Sequence, residues 1–362
     1  MKLSVVFVFS AICAVYANPI RNERNTSRKH ANAAELREQY VLKDYYNLKD
    51  DTTFTPATYV YPAAPTLQSV VKPIIATLEV NNLQKYLNKF TSFYNRYYDS
   101  DTGKQASNWL FNTITEIIAN SPSNSSVAAQ RFHHAWKQSS IIVKFPGRQQ
   151  GPITILGSHL DSVNWDEGGK PEENRAPGAD DDGSGTVSML EAFRALASQG
   201  FKPRNDVEFH WYSAEEAPVD DGSGEIAASY RERGVAVKGM MQYDMTAYVK
   251  PGTREIFGLM QDYTTDTLST YVTTLAAQYN TIPAKSGETC GYGCSDHVSW
   301  NATGYPTVMP AEGIFKDTNP FLHTTNDTTS LPGFSWTHML EFSKLAVAFA
   351  VELGNAHIRA SV

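Results

Sequence analysis

The chain has 362 residues, 41% of them hydrophobic and 12% aromatic, enough apolar material for a large core in one or two domains. A formal net charge of −7, with no long basic run, argues against a nucleic-acid partner. The acidic balance says little more, because bound cations can neutralise several carboxylates.

At the amino terminus, Lys2 precedes a short apolar stretch from Leu3 to about Val15, and Val15-Tyr16-Ala17 closes it in an A-x-A-like pattern. Residues 1–17 therefore read as a secretory signal peptide, too short to span a bilayer. No other segment approaches ~18 uninterrupted apolar residues. The product is expected to be soluble, secreted and extracellular, with no membrane association. Residues 18–76 differ in character. NERNTSRKHANAAELREQYVLKDYYNLKDD is charged and weakly helical, and TFTPATYVYPAAPT is rich in Pro, Thr and Ala. This stretch reads as a propeptide plus linker, which would be removed or would pack on the catalytic domain.

Residues 77–362 read as one catalytic domain. Amphipathic helices are expected over 81–98 and over 105–119, the second after the turn Asp101-Thr102-Gly103. Strand-like runs follow at 139–145, 152–158, 206–213, 239–244, 254–260 and 305–309. Helical patterns lie at 186–198, 224–233, 265–279 and 336–353. Strands alternating with helices indicate an α/β fold, a three-layer α/β/α sandwich around a mostly parallel central sheet. In such sheets functional groups collect at the carboxyl ends of the strands.

Nearly every expected strand ends in a potential metal ligand. PITILGS runs into His159-Leu160-Asp161, DVEFHWYSA into Glu215-Glu216, and GMMQY into Asp244. The triplet Asp180, Asp181 and Asp182 precedes a helix at Gly183-Ser184-Gly185, and His323 lies in LHTTNDT after the last strand. Each has a bland reading alone: a surface pair, a solvated helix start, a cap. Five such events at one sheet edge favour a metal site. Two imidazoles and several carboxylates without thiolate suit zinc, or cobalt or manganese in its place. They are too many for one tetrahedral ion, and two ions ~3.5–4 Å apart sharing a carboxylate would use them.

After loss of Cys13 with the signal, Cys290 and Cys294 remain, in CGYGC. In an oxidising compartment they are most simply a local disulfide; a two-thiolate metal site is the alternative, though no further soft ligand lies nearby. Acceptor sequons occur at Asn25, Asn124, Asn301 and Asn326.

GSHLDS, APGADDDGSG, AEE, QYDMTAY and LHTTNDT, in this order and spacing, resemble the co-catalytic dizinc aminopeptidases of the M28 peptidase family. The likeness is nearest to secreted bacterial and fungal leucine aminopeptidases and covers roughly residues 80–355. FYNRYYDSDTGKQASNWL and ETCGYGCSDHVSWNATGYP share in it. It implies a zinc-dependent exopeptidase fold and two Zn2+ per chain. One zinc would sit on His159, Asp181 and Asp244, the other on Asp181, Glu216 and His323, with Asp181 bridging. The resemblance also implies a cis peptide at Asp181–Asp182, Asp161 as the carboxylate orienting His159, Glu215 as general acid/base, and Tyr292 as an oxyanion donor. Asp180 receives no role and is read as solvated.

The family binds the free α-amino group of a peptide at its metals, so the substrate would be the N-termini of peptides and proteins. Matching pocket positions are Met245, Met309, Phe315 and Leu322, together with Cys290, Cys294 and Tyr292. This apolar lining suits large hydrophobic residues of the Leu type. A glycan on Asn326 would crowd the mouth of that site, so glycosylation is expected at Asn25, Asn124 and Asn301 instead. The enzyme is expected to be a monomer, with its own propeptide as inhibitor or folding aid. Competing readings are a single-zinc glutaminyl cyclase, a silent protease-like binding ectodomain, and a carboxypeptidase or dipeptidase. The complete ligand set counts against the first two, and a pocket lining without a cation counts against the third.

Overall fold

The computed structural model describes residues 57–122, 126–218 and 221–358. The expected signal peptide and the sequons at Asn25 and Asn124 lie outside them, as does most of the propeptide stretch.

Helices α1 (Gln68–Ile75), α2 (Val80–Phe90) and α3 (Asp101–Ala119) come first. Strands β1 (Ala128–Phe132), β2 (Ser140–Phe145) and β3 (Ile153–His159) lead to α4 (Gly183–Ser198). Then follow β4 (Val207–Tyr212), α5 (Gly222–Glu232), β5 (Val237–Tyr243), β6 (Phe257–Met260) and α6 (Asp266–Tyr279). The chain closes with β7 (Ala284–Glu288), α7 (His297–Ala302), β8 (Thr307–Val308), β9 (Pro310–Ala311) and α8 (Trp336–Asn355).

The main sheet has the order β1-β2-β4-β3-β5-β8. β4, β3, β5 and β8 run parallel, and β1 and β2 form an antiparallel flank. Successive side chains of a strand face opposite sides of a sheet, and the core divides accordingly. Ile141, Val143 and Leu156 join a large cluster with Val187, Leu190, Phe342 and Leu345 of α4 and α8. Their neighbours Ile142 and Ile155 join a second cluster with Ile226, Tyr230 and Trp300 of α5 and α7. Helices on both faces make the expected three-layer sandwich, and β3 and β5 are buried along their whole length, polar residues included.

Several expected elements are altered. The helix expected over 81–98 ends at Phe90, and beyond it Asn95 and Arg96 direct their side chains to distant main-chain carbonyls. The turn expected at Asp101-Thr102-Gly103 is the first turn of α3, where the Ser100 hydroxyl accepts the Gly103 N–H. The strand expected over 254–260 shrinks to β6 and leaves the main sheet, pairing with β7 and β9 in a small sheet of its own. The described part of the expected propeptide and linker is packed: Val71 and Ile74 of α1 lie in the large core cluster. Glu352 of α8 accepts the main-chain N–H groups of Thr66 and Leu67 at 3.0 and 2.8 Å.

Candidate metal centre

Because β4, β3 and β5 are adjacent and parallel, their carboxyl ends lie side by side. His159 is the last residue of β3, Asp244 follows β5, and Glu215 and Glu216 follow β4 after a two-residue bend. Asp181 arrives from the loop before α4, and His323 from the loop before α8. Ala214, Met245 and His323 adopt positive φ of 66°, 59° and 57°, a region uncommon for residues other than glycine. Each lies at a candidate ligand or next to one, where the chain must bend sharply to aim a side chain inward. The Asp181–Asp182 peptide is cis.

Asp181 stands between two groups. Its Oδ1 lies 3.2 Å from His159 Nε2, which also faces Asp244 Oδ1 at 3.5 Å. Its Oδ2 lies 2.9 Å from His323 Nε2, which faces Glu216 Oε2 at the same distance. The five expected ligands are thus brought together in two lobes sharing one carboxylate. Both ring nitrogens of His159 and Glu216 Oε1 are buried without a well-formed hydrogen bond. Donor atoms crowded in this way, yet misaligned for one another, fit divalent cations between them. Asp182 also brings an oxygen within 4.8 Å of the donor atoms of His159 and Asp244. Its Oδ1 accepts the N–H groups of Gly185 and Met245 and so caps α4, while its Oδ2 is buried without a hydrogen bond. Asp181, with each oxygen facing a different histidine, is the better shared ligand.

Electrostatics agree with this geometry. Burial works to lower the pKa of both histidines, but the surrounding acids outweigh it: Asp244, Asp161 and Asp181 hold His159 well above its usual value. Glu216 and Asp181 do the same for His323. Burial, and next the charge of Asp181, push the Glu216 carboxyl up to about 7. Such a cluster holds extra protons that a cation can replace.

The remaining expected residues are placed as follows. Asp161 Oδ1 and Oδ2 accept the N–H groups of Glu215 and Glu216 at 3.1 and 3.0 Å, with His159 Nδ1 at 3.5 Å from Oδ1. A carboxylate oxygen of Glu215 lies within 4.8 Å of donor atoms of His159 and Glu216. Cys290 and Cys294 form a disulfide, and the loop they close is pinned by Asp262, whose Oδ2 accepts the N–H groups of Cys290 and Gly291. In that loop the Tyr292 ring meets Phe315 edge-on at 6.3 Å. Met309, Met260 and Ala311 form a separate apolar cluster against which Cys290, Cys294 and Phe315 pack. Met260 was not among the expected pocket residues. Met245 and Leu322 are half-buried, each adjacent in sequence to a ligand. Asn301 lies half-buried in α7, with its side-chain amide 3.4 Å from Thr307 Oγ1, while Asn326 is exposed.

Asp180, read from sequence as solvated, is 0% exposed. Its Oδ1 accepts from the Ala247 N–H and the Ser184 hydroxyl, and its Oδ2 from the Asn319 amide. Burial, then the charge of Asp180, raises the Glu312 carboxyl well above its usual value, and the two acids are hydrogen-bonded. They can share one proton where two buried charges would repel.

Arg96 was another residue without an expected role. It is fully buried and donates to the carbonyls of Leu160, Pro177 and Gly178 at 3.0, 2.6 and 2.8 Å. It thereby fastens the chain after His159 to the loop before Asp181. Gly178 is required at this crossing: its φ is +49°, and a Cβ would stand 2.4 Å from the Asp181 carbonyl oxygen. Burial brings the Arg96 guanidinium down to about 10, against the pull of Asp327, Asp182, Asp161 and Asp181.

Residues 140–350 match the model of peptidase family M28. A leucine aminopeptidase 1 of Colletotrichum graminicola is 39% identical over 324 residues, covering 87% of this chain and 79% of its own. A probable leucine aminopeptidase of Arthroderma benhamiae is 36% identical and covers 98% of both chains. Among solved structures, the LapA aminopeptidase of Legionella pneumophila superposes with a TM-score of 0.76 at 30% identity, over 86% of this chain and 80% of that one.

Proposed function

The chain belongs to peptidase family M28, and on that premise we propose that it is a secreted aminopeptidase releasing large hydrophobic, Leu-type residues from peptide N-termini with two divalent cations. The observation that carries this reading is the position of Asp181, whose two oxygens face His159 and His323 separately. His159, Asp181 and Asp244 would hold one cation, and Asp181, Glu216 and His323 the other. Nitrogen and carboxylate donors without thiolate suit zinc, with cobalt or manganese as substitutes. The cations would supply Lewis acidity and ease the deprotonation of water.

The chain's own groups do the rest. Glu215 accepts a proton from the attacking water as its oxygen bonds to the scissile carbonyl carbon. It returns that proton to the departing amine nitrogen as the C–N bond breaks. Asp161 holds the Glu215–Glu216 turn by its two main-chain N–H groups. The Tyr292 phenol, on its disulfide-closed loop, donates to the oxyanion that develops on the carbonyl oxygen. Met260, Met309, Phe315 and the disulfide supply an apolar wall, adaptable at its methionines, for the first side chain.

A segment within residues 18–56 acts as the propeptide in this reading, and residues 57–76 stay with the mature enzyme. Among the described residues no helix is long and apolar enough to cross a membrane. The curated relatives named above, both described as leucine aminopeptidases at 36–39% identity, favour peptide hydrolysis over glutaminyl cyclisation. The two-lobed ligand set favours it too, since a single-cation site would leave one histidine lobe unused.

Metal analysis of the purified mature protein, with Leu-p-nitroanilide turnover before and after chelation, tests the proposal. Two equivalents of metal and loss of turnover on chelation are expected. Fewer than two equivalents, or turnover indifferent to the chelator, overturns it.

A further inference from the structure

We propose that Asp327 is a positioning residue for the bridging carboxylate, holding the main chain of Asp180–Asp181 in place and tying it to the loop that carries His323. Three successive peptide N–H groups of the triplet loop end on this one residue. The Asp327 carbonyl oxygen accepts from Ala179 at 3.1 Å. Its carboxylate Oδ1 accepts from Asp180 N at 3.1 Å, and Oδ2 accepts from Asp181 N at 3.0 Å. The side-chain amide of Asn319 donates to Oδ1 at 3.0 Å and also reaches Asp180 Oδ2 at 3.2 Å. Asp327 is 1% exposed, so water does not compete for these contacts.

The sequence placement gives this brace its consequence. Asp327 lies four residues after His323, and its partners are the bridging ligand and the residue before it. The two lobes of the centre meet at Asp181, which has to present one oxygen to each. A rotation of its peptide would spoil both lobes together, and a peptide N–H anchored on a buried carboxylate resists that rotation. Arg96 holds the same loop from its other side, through the carbonyls of Pro177 and Gly178. The loop's N–H groups are therefore held by Asp327 and its carbonyls by Arg96, from two distant segments.

This inference rests on the two-cation reading, and cobalt(II) titration of the metal-free mature protein separates the two. The wild type is expected to take two equivalents, with a visible d–d absorption band from each. Asp327→Asn keeps the size but turns an acceptor into an N–H2 facing peptide N–H groups. It should fold, by circular dichroism, yet bind at least one cobalt about tenfold or more weakly and with an altered band. Asn319→Ala removes one donor to Asp327 and leaves the peptide contacts, so a smaller shift of the same sign is expected. It decides the matter if Asp327→Asn does not fold. A wild type with fewer than two equivalents overturns the underlying reading and the inference with it. Two equivalents in the wild type, with unchanged affinity and band in whichever variant folds, overturns the inference alone.

Discussion

Asp161 carries the main chain of Glu215: its Oδ1 accepts the Glu215 N–H at 3.1 Å, while its Oδ2 accepts that of Glu216. Support of the Glu215–Glu216 turn is thus better formed than the 3.5 Å approach to His159 Nδ1. Asp161→Asn leaves one of the two N–H groups facing an amide N–H2. Turnover should fall roughly 10–100-fold, the range found when partners of metal ligands are lost. Metal content should change less than turnover. Steady-state kinetics beside metal analysis reads both, and unchanged turnover would remove Asp161 from this role.

Glu215→Gln separates proton transfer from metal binding. The amide fits the same space but accepts no proton from water at neutral pH. Turnover of Leu-p-nitroanilide should drop roughly 10²–10⁴-fold with both metal equivalents retained. Loss of a metal instead would mean that Glu215 and Glu216 have exchanged roles.

Met309 sits among Met260, Ala311, Phe315 and the disulfide, in the wall assigned to the first side chain. Met309→Phe fills part of that space. The ratio of kcat/KM for Leu over Ala anilides should fall about tenfold or more. An unchanged ratio places the side-chain pocket elsewhere.

Lys238, at 1% exposure, has its ammonium 3.1 Å from Asn205 Oδ1. Burial, then repulsion from Arg204, pulls its pKa down to about 7. An unfolded lysine titrates near ~10.4. Between these values the unfolded chain binds the extra proton, so this group makes stability rise with pH across that window. Below about 7 the folded state carries the full cost of the buried charge. Lys238→Met should therefore raise Tm most near pH 6–7, roughly, and the gain should shrink towards pH 10. Thermal melts across this range check the trend; a gain independent of pH would contradict it.

Two deletions test where maturation must stop. Removing residues 18–56 should leave a folded enzyme. Removing 18–76 takes away Val71 and Ile74 from the core and the two N–H groups that Glu352 accepts. Buried side chains of this kind contribute ~1.5–3 kcal/mol each, so Tm should fall by roughly 5 °C or more. Equal melting temperatures would make residues 57–76 a dispensable arm.

The amino-acid sequence determined the layer architecture and the five residues that meet at the centre. The first follows from local pattern, strands rich in apolar residues alternating with helices, and the second only in part: acids or histidines directly after the strands fall at one sheet edge once those strands are parallel neighbours. His159 and Asp244 were legible for this reason; the choice of Glu216 over Glu215 and of Asp181 within its triplet came from the resemblance. What surrounds them was decided in three dimensions. Asp327 reaches Asp181 across 146 residues of chain, and Arg96 reaches Gly178 across 82. No periodicity or spacing records such a contact, because its strength comes from burial and from which loops the fold brings together. Asp180 shows the difference most clearly. Its acidic neighbours and flanking Gly and Ser suggested a solvated loop, yet the fold buries it against Asn319 and Glu312, where distant donors replace water. The small β7-β6-β9 sheet escaped for a related reason: its strands are short, and they pair segments that are distant in the chain.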